Sequence, residues 1–314
     1  MSGVHYKEIS VEENGQRLDN YLFRILKGVP KSHIYRLIRN GEVRINKKRA
    51  KPASRLETGD LVRVPPVRVT VPQEVQVGQK LNQTLMNSII YEDKALLVIN
   101  KPAGLAVHGG SGVSFGVIEA LRASRPDLAY IELAHRLDKE TSGCLVLAKK
   151  RSVLREIQAA LAAREVKKTY WALLNKSWTG KKNILVDQPL EKNLLKSGER
   201  MVVIKEAGKS SQTQFKLLEN FNEGCLVEAY PKTGRTHQIR VHSAYLGHPI
   251  AGDNKYGGQP PLDTVTKRTS RLYLHARSIQ FNLKDKEHVF EAELDERFKE
   301  TLTTLRLRST PSYE

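Results

Sequence analysis

Apolar positions near the start of the chain fall at helical spacing. Leu18, Leu22 and Ile25 recur at i, i+4 and i+7, the stripe of an amphipathic helix. A second helix is expected to start near Ser32, a residue type that caps helix N-termini. It would turn Ile34, Leu37 and Ile38 inward and stop at Asn40-Gly41, where a left-handed residue is needed. The period then changes to two: Val43 and Ile45 share one face of a short strand turned at Lys47-Lys48, and LETGDLVRVPP reads as a turn and a further strand. These pieces make a compact module. Residues 65–87, with Pro65, Pro66 and Pro72, carry no helical stripe and read as a connecting segment.

From Ile89 onward the pattern is strand-like. IIYEDKALLVINKPAG, KKTYWALL, SQTQFKLL, GCLVEAY and RLYLHARSIQF bring β-branched or aromatic residues between turn signals. SFGVIEALRAS, with Ser114 as cap, SVLREIQAALAAR and THQIRVHSAYLG carry helical stripes, the last closed by Gly247 with Pro249 beyond it. Antiparallel strands with helices inserted between them predict an α+β domain. At 314 residues, about two domains are expected.

Charge changes this picture most. The chain has 52 Lys and Arg against 34 Asp and Glu, a net +18, and 39% of its residues are hydrophobic, enough for a core. Residues 17–68 hold 14 of the bases against four acids, so +10 sits in this one stretch. Lys31, Arg36, Arg39, Arg44, Lys47, Lys48, Arg49 and Lys51 fall on or beside the second helix and the following turn, opposed between residues 31 and 51 only by Glu42. Such a surface suits an RNA backbone better than lipid, because no large apolar face is left to enter a bilayer. No segment has the apolar length of a membrane span, and MSGVHYKEIS lacks a signal-peptide layout, so a cytoplasmic protein is expected. Cys144 and Cys225 form no metal or redox pair and read as buried fillers.

The densest polar run, His135 to Gly143, lies between apolar YIELA and CLVLA. A carboxylate beside an arginine on a supported loop stays ionised and can act as a nucleophile or stabilise positive charge. The same run also fits a salt-bridged turn capped by Thr141 or Ser142. His237 and His242 are five apart, which on a helix faces them to different sides, so no metal site is expected there or at His248. GGSG at 109–112 lacks the Gly-Lys-Ser/Thr of a phosphate loop.

HRLDKETSG closely resembles the signature around the catalytic aspartate of the RluA family of pseudouridine synthases. Asn100-Lys101-Pro102-Ala103-Gly104 is similar to its N-K-P-x-G segment. Thr233 to His242, continuing to Gly247-His248-Pro249-Ile250 and Asp253, is similar to its third motif. In front, Arg17-Leu18-Asp19 followed by Gly41, Val43, Ile45 and Asn46 resembles the S4 RNA-binding domain. The whole looks most like the C group of the family's large-subunit ribosomal RNA enzymes. Glu140, where Asp is common, and Cys144, where a branched residue is usual, depart from the pattern without altering a reacting group. Residues 176–210 and 258–270 match least.

The resemblance implies a mainly antiparallel mixed sheet of pseudouridine synthase fold over 89–314, an S4 module over 17–80 and a linker at 81–88. It implies isomerisation of uridines in 23S ribosomal RNA by base flipping, with no cofactor, no metal and a monomeric enzyme. Asp138 would be the reacting carboxylate, Tyr170 the residue that stacks on the base, and Arg240 the arginine that holds Asp138 ionised. Arg136 would enter the space near the flipped nucleotide, with His135 and Arg235 as further RNA contacts. Lys31, Arg36, Arg39, Lys47, Lys48 and Arg49 would anchor the RNA. Two rivals stay open on the sequence: a noncatalytic ribosome-assembly factor on the same basic surface, and a base-releasing glycosidase built on Asp138 and Glu140.

Overall fold

The computed structural model describes residues 3–26, 28–67, 78–109, 115–194, 200–257 and 271–309. The chain divides near residue 77 into two compact units. In the first, β1 (His5–Glu8) is followed by α1 (Leu18–Ile25), α2 (Lys31–Arg39), β2 (Arg44–Ile45), β3 (Lys48–Arg49) and β4 (Leu61–Val64). The strands form an antiparallel sheet in the order β1-β4-β2-β3. Its core joins Leu18, Leu22, Ile34, Leu37 and Ile38 of the helices to Ile9, Val43, Val62 and Val64. The stripes predicted from spacing are therefore the buried faces.

Three details depart from expectation. Pro30 rather than Ser32 caps α2: its fixed φ suits a helix start, and its carbonyl accepts the Ile34 N–H at 3.1 Å. The hairpin turns at Asn46-Lys47, both at positive φ (48° and 67°), as a two-residue turn between twisted strands requires. The unit also starts before Arg17, because β1 pairs with β4 and Ile9 enters the core. Arg17 itself clasps the buried Asp19, with Nη2 2.6 Å from Oδ2.

The second unit opens with α3 (Gln79–Asn87), so residues 81–88, expected as a linker, are helical up to Asn87. Only Leu85 of that helix is fully buried, which is why the polar segment showed no stripe. Pro72 lies outside the described residues. There follow β5 (Ile89–Glu92), β6 (Leu96–Lys101), α4 (Val117–Ser124), β7 (Glu132–Leu133), β8 (Ser142–Ala148) and α5 (Arg151–Ala163). Next come β9 (Lys167–Asn175), β10 (Asn183–Asp187), β11 (Leu190–Leu194), β12 (Arg200–Ile204), β13 (Gln212–Asn220) and β14 (Gly224–Pro231). The unit ends with α6 (Gln238–Tyr245), β15 (Leu274–Leu283), β16 (Lys286–Glu291) and α7 (Glu296–Ser309). The cap expected for α4, Ser114, is likewise outside the described residues. Gly116 begins that helix, and the Glu119 carboxylate accepts its N–H at 2.8 Å.

Ten strands form one sheet in the order β10-β13-β14-β9-β15-β8-β6-β5, with β16 on β15 and β7 on β8. β11 and β12 make a separate hairpin. The central strands are buried on both faces, which explains their unbroken apolar runs. Alternate residues of β6 and β8 divide the core: Leu96, Val98, Cys144 and Val146 pack with Val153 and Ile157 of α5, while Leu97, Ile99, Leu145 and Leu147 pack with Val117, Ile118 and Leu121 of α4. A third cluster covers β9, β13 and β14 with Phe298, Leu302 and Leu305 of α7. The expected α+β architecture is the observed one, and both cysteines are buried with their thiols pushed up to about 12 by burial.

Among the described residues, all sheet pairings are antiparallel except β8 with β15, where Ser142 and Gly143 face His275 and Ala276. Gly143 has φ +109°, and a Cβ there would lie 2.3 Å from the Ala276 carbonyl oxygen. Only glycine fits. Gly143→Ala is expected to lower stability by at least about 3 kcal/mol, seen as a fall in the urea midpoint at unchanged m value.

Candidate active site

The polar run after β7 forms a loop bound at several points. Thr141 N–H donates to the Asp138 carbonyl at 3.1 Å, and Gly104 N–H to the Lys139 carbonyl at 2.9 Å. Lys101, fully buried, donates its ammonium to the carbonyls of Pro102 and Leu105 at 2.8 Å and of Lys139 at 3.0 Å. One side chain thus ties the N-K-P-x-G segment to the loop of Asp138. Burial draws that ammonium down to about 7, against the pull of Glu140 and Asp138. Leu137 points into the core beneath, which leaves Asp138 facing outward into a cleft of about 1040 Å³.

The cleft gathers the second-unit residues that the family resemblance assigned to the site: His135, Arg136, Asp138, Tyr170, Arg235 and Arg240. Their states differ. His135 accepts the Val146 N–H on Nε2 at 3.1 Å, and burial pulls its pKa to about 4, so its ring is a neutral brace on β8. Arg136 is exposed in the cleft with no ion pair among the described residues. Arg235 is exposed and donates to the Ser210 carbonyl at 3.2 Å. Tyr170 stands between Ala229 of β14 and Ala276 of β15, two small neighbours that leave its ring room. Burial and the nearby Asp138 charge push its phenol well above the ordinary range.

Arg240 has two acidic partners, the expected Asp138 and a closer one. Its principal partner is the buried Asp253, bonded through Nε and Nη2 at 2.8 Å each, and its Nη1 is 4.0 Å from Asp138 Oδ2. Asp138 has a nearer neighbour in His237, whose Nε2 lies 3.7 Å from the same oxygen. Sequence spacing raised His237 only as a metal ligand, and Tyr256 not at all. Yet His237 Nδ1 is 2.7 Å from the Tyr256 hydroxyl, and Arg240 stacks over the Tyr256 ring at 5.0 Å. The other two histidines have partners elsewhere: His242 with Thr213 and the Gln188 carbonyl, His248 stacked on Trp178. Lys168, also overlooked, lines the cleft half-buried without an ion pair among the described residues, and burial lowers its pKa.

Behind the loop a polar chain runs inward from the partly exposed Asp295. Asp295 pairs with Arg271, whose Nη2 donates to Ser142 Oγ at 3.1 Å. Ser142 Oγ is 2.9 Å from His275 Nδ1, and His275 Nε2 is 3.0 Å from the Ala292 carbonyl. Because Ala292 offers only an acceptor, His275 carries its proton on Nε2 and accepts from Ser142. In the first unit, Lys31, Arg36, Arg39, Lys47, Lys48 and Arg49 are all exposed, Lys31 over the Phe23 ring at 5.2 Å and Arg49 bonded to the Asn40 carbonyl at 3.2 Å.

The RNA pseudouridylate synthase family matches residues 95–245 and the S4 domain matches residues 16–62. Ribosomal large subunit pseudouridine synthase C of Haemophilus influenzae is 50% identical over 97% of this chain and 96% of its own. The protein of the same name from Escherichia coli K12 is 50% identical over 95% of each chain. Among solved structures, Human RNA Pseudouridylate Synthase Domain Containing 4 is similar with a TM-score of 0.61 and 28% identity, covering 72% of this chain and 96% of that one.

The Ser142–His275 contact carries a pH dependence. Burial holds the fully buried His275 at about 4, below the ordinary value of about 6.5. Between these values the unfolded chain takes up a proton that the folded one refuses, so stability present above about pH 6.5 is lost as pH falls toward 4, at up to about 1.4 kcal/mol per pH unit. His275→Gln is expected to be less stable at pH 7.5, with the gap to the parent narrowing by pH 4.5 in urea titrations.

Proposed function

The chain belongs to the RNA pseudouridylate synthase family, and from that premise we propose that it isomerises uridines of large-subunit (23S) ribosomal RNA with Asp138 as the reacting carboxylate. The reaction breaks the bond from ribose C1′ to uracil N1, turns the base, joins C5 to C1′ and moves the C5 proton away. N1 ends protonated. Product and substrate are isomers, so no oxidant and no energy source enters the balance. A single carboxylate in reach of the ribose and base can serve such a path as nucleophile or proton acceptor.

The observation that carries this reading is that Asp138 lines a cleft with Tyr170 while, among the described residues, no side chain hydrogen-bonds its carboxylate: the His237 imidazole stands at 3.7 Å and the Arg240 guanidinium at 4.0 Å. Its charge is supported, but its oxygens stay available to a ligand. A uridine extruded from its stack, at a cost of a few kcal/mol, would meet Tyr170 as a flat partner and the uncommitted cations Arg136 and Lys168 as phosphate contacts. Arg240, fixed by Asp253, supplies a stationary positive field beside Asp138 rather than a direct clasp.

RNA capture is assigned to the S4 module, whose exposed bases neutralise phosphates and release counterions. The hairpin tip formed by Asn46 and Lys47 puts Lys47 and Lys48 in solvent, beside Arg49. Local charge and catalytic chemistry are thereby separable in mutants.

Asp138→Asn is expected to bind large-subunit RNA within about threefold of the parent and to lower pseudouridine formation at least about a thousandfold. Carbodiimide-stop mapping of RNA from a deletion strain complemented with each variant reads the outcome; full modification by the mutant ends the assignment. Neutralising Lys47, Lys48 and Arg49 together should weaken binding and reduce the slope of log affinity against log salt by about 0.7 for each phosphate that the variant no longer neutralises. Turnover at saturating RNA should stay near the parent value.

A further inference from the structure

Tyr256 and His237 form an arm around Asp138 that the reaction as described leaves unused. The Tyr256 hydroxyl accepts the Val202 N–H at 3.0 Å, and it lies 2.7 Å from His237 Nδ1. Val202 is the donor in the first contact, and the phenol keeps one proton that it can give to His237 Nδ1. A ring that accepts at Nδ1 and is neutral carries its own proton on Nε2. Nε2 is the atom that faces Asp138 Oδ2 at 3.7 Å. A backbone amide, a phenol, an imidazole and the carboxylate thus stand in line, with hydrogen bonds joining the first three and a 3.7 Å gap before the fourth.

Two further features fit this geometry. His237 sits at the N-terminal boundary of α6 with φ +53° and ψ +18°, a left-handed conformation uncommon for a residue bearing a side chain and often retained where a site requires it. Val202 belongs to the β11–β12 hairpin, and it packs with Leu190, Ile204, Val241 and Tyr256, so the hairpin is fixed to α6 beside the ring it bonds. The titratable and charged groups around His237 are Asp138 from the loop before β8, Arg240 from its own helix, and Asp253, Lys255 and Tyr256 from the segment after it. Burial outweighs the attraction of Asp138 and lowers the pKa of the ring, which keeps it neutral near pH 7.

We propose that His237 is a positioning residue for Asp138, presenting an Nε2–H to the carboxylate, and that Tyr256, held by the hairpin through Val202, sets the tautomer that makes this possible. The 3.7 Å separation shortens to a hydrogen bond when the nucleotide enters, as such contacts commonly do between free and occupied sites. The arm orients one oxygen of Asp138 and leaves the other to the substrate. It acts on the rate of the chemical step and not on RNA capture.

The inference rests on Asp138 being the reacting group, and the experiment separates the two. Nitrogen-15 spectra of histidine-labelled protein, with the His237 signals assigned by their loss in His237→Gln, should show the Nε2–H tautomer at pH 7.5 in the parent and a shift toward Nδ1–H in Tyr256→Phe. In steady-state assays on an RNA fragment, His237→Ala should lower kcat at least tenfold with KM changed less than threefold. His237→Gln, whose amide can replace the Nε2–H donor, should recover kcat to within about threefold of the parent. Thermal melting of each variant separates a missing donor from a missing fold, and the tautomer of the parent is read without any variant needing to fold as the parent does. An Nδ1–H ring in the parent, or a folded His237→Ala enzyme with kcat within twofold, overturns the proposal. Undiminished product from Asp138→Asn would instead overturn the reading beneath it.

Discussion

Two halves of the large sheet meet where β8 and β15 run side by side in parallel, at a point with room only for the bare backbone of Gly143. The site depends on that contact. The loop of Asp138 leads into β8, Tyr170 stands on β9, which pairs with the other edge of β15, and α6 follows β14, the next strand out. Close approach at Gly143 therefore sets the spacing between the carboxylate and the wall opposite. The chain from the partly exposed Asp295 through buried Arg271, Ser142 and His275 to the Ala292 carbonyl satisfies the polar groups that the junction takes out of water.

Electrostatics divides labour between two aspartates. Asp253 is buried and takes the full bidentate bond of Arg240, the arrangement a buried charge needs to avoid a large desolvation cost. Asp138 is partly open to solvent and meets Arg240 and His237 only at 4.0 and 3.7 Å. A carboxylate clamped like Asp253 is closed to a ligand, which would have to displace strong charge-assisted bonds. By committing Arg240 elsewhere, the fold supplies Asp138 with a positive field and leaves its lone pairs free. Lys101 does the mechanical part, holding the loop carbonyl at Lys139 from beneath.

Charge is organised on a different scale from chemistry. The stretch from residue 17 to 68 carries +10 of the net +18, over a separate small core of its own. Attraction for a polyanion is long-ranged and tolerant of geometry, so exposed lysines and arginines on a compact scaffold suffice for it. The cleft of Asp138, by contrast, is held at fixed distances by buried strands. The membership in one enzyme family and the presence of an S4 domain fit this separation.

Local signals in the chain already determined much of this. Leu18, Leu22, Ile34 and Leu37 announced their helices, the apolar runs of β6 and β8 announced strands buried on both faces, and the motif around Asp138 identified the loop. Each is legible because side-chain periodicity and short motifs depend on neighbours a few residues apart. The helix Gln79–Asn87 is silent in the pattern because it buries one leucine fully and shows no stripe. The Asn46-Lys47 turn falls one residue earlier than the expected Lys47-Lys48, at the asparagine that tolerates a positive φ. What tertiary structure alone decided are the meetings of separated segments: Ser142 with His275 across 133 residues, Arg240 bonded to Asp253 and at 4.0 Å from Asp138, and Tyr256 between Val202 and His237. Such contacts form only when stretches of 13 to 133 residues close upon one another, and no short-range periodicity records which pairs that closure brings together.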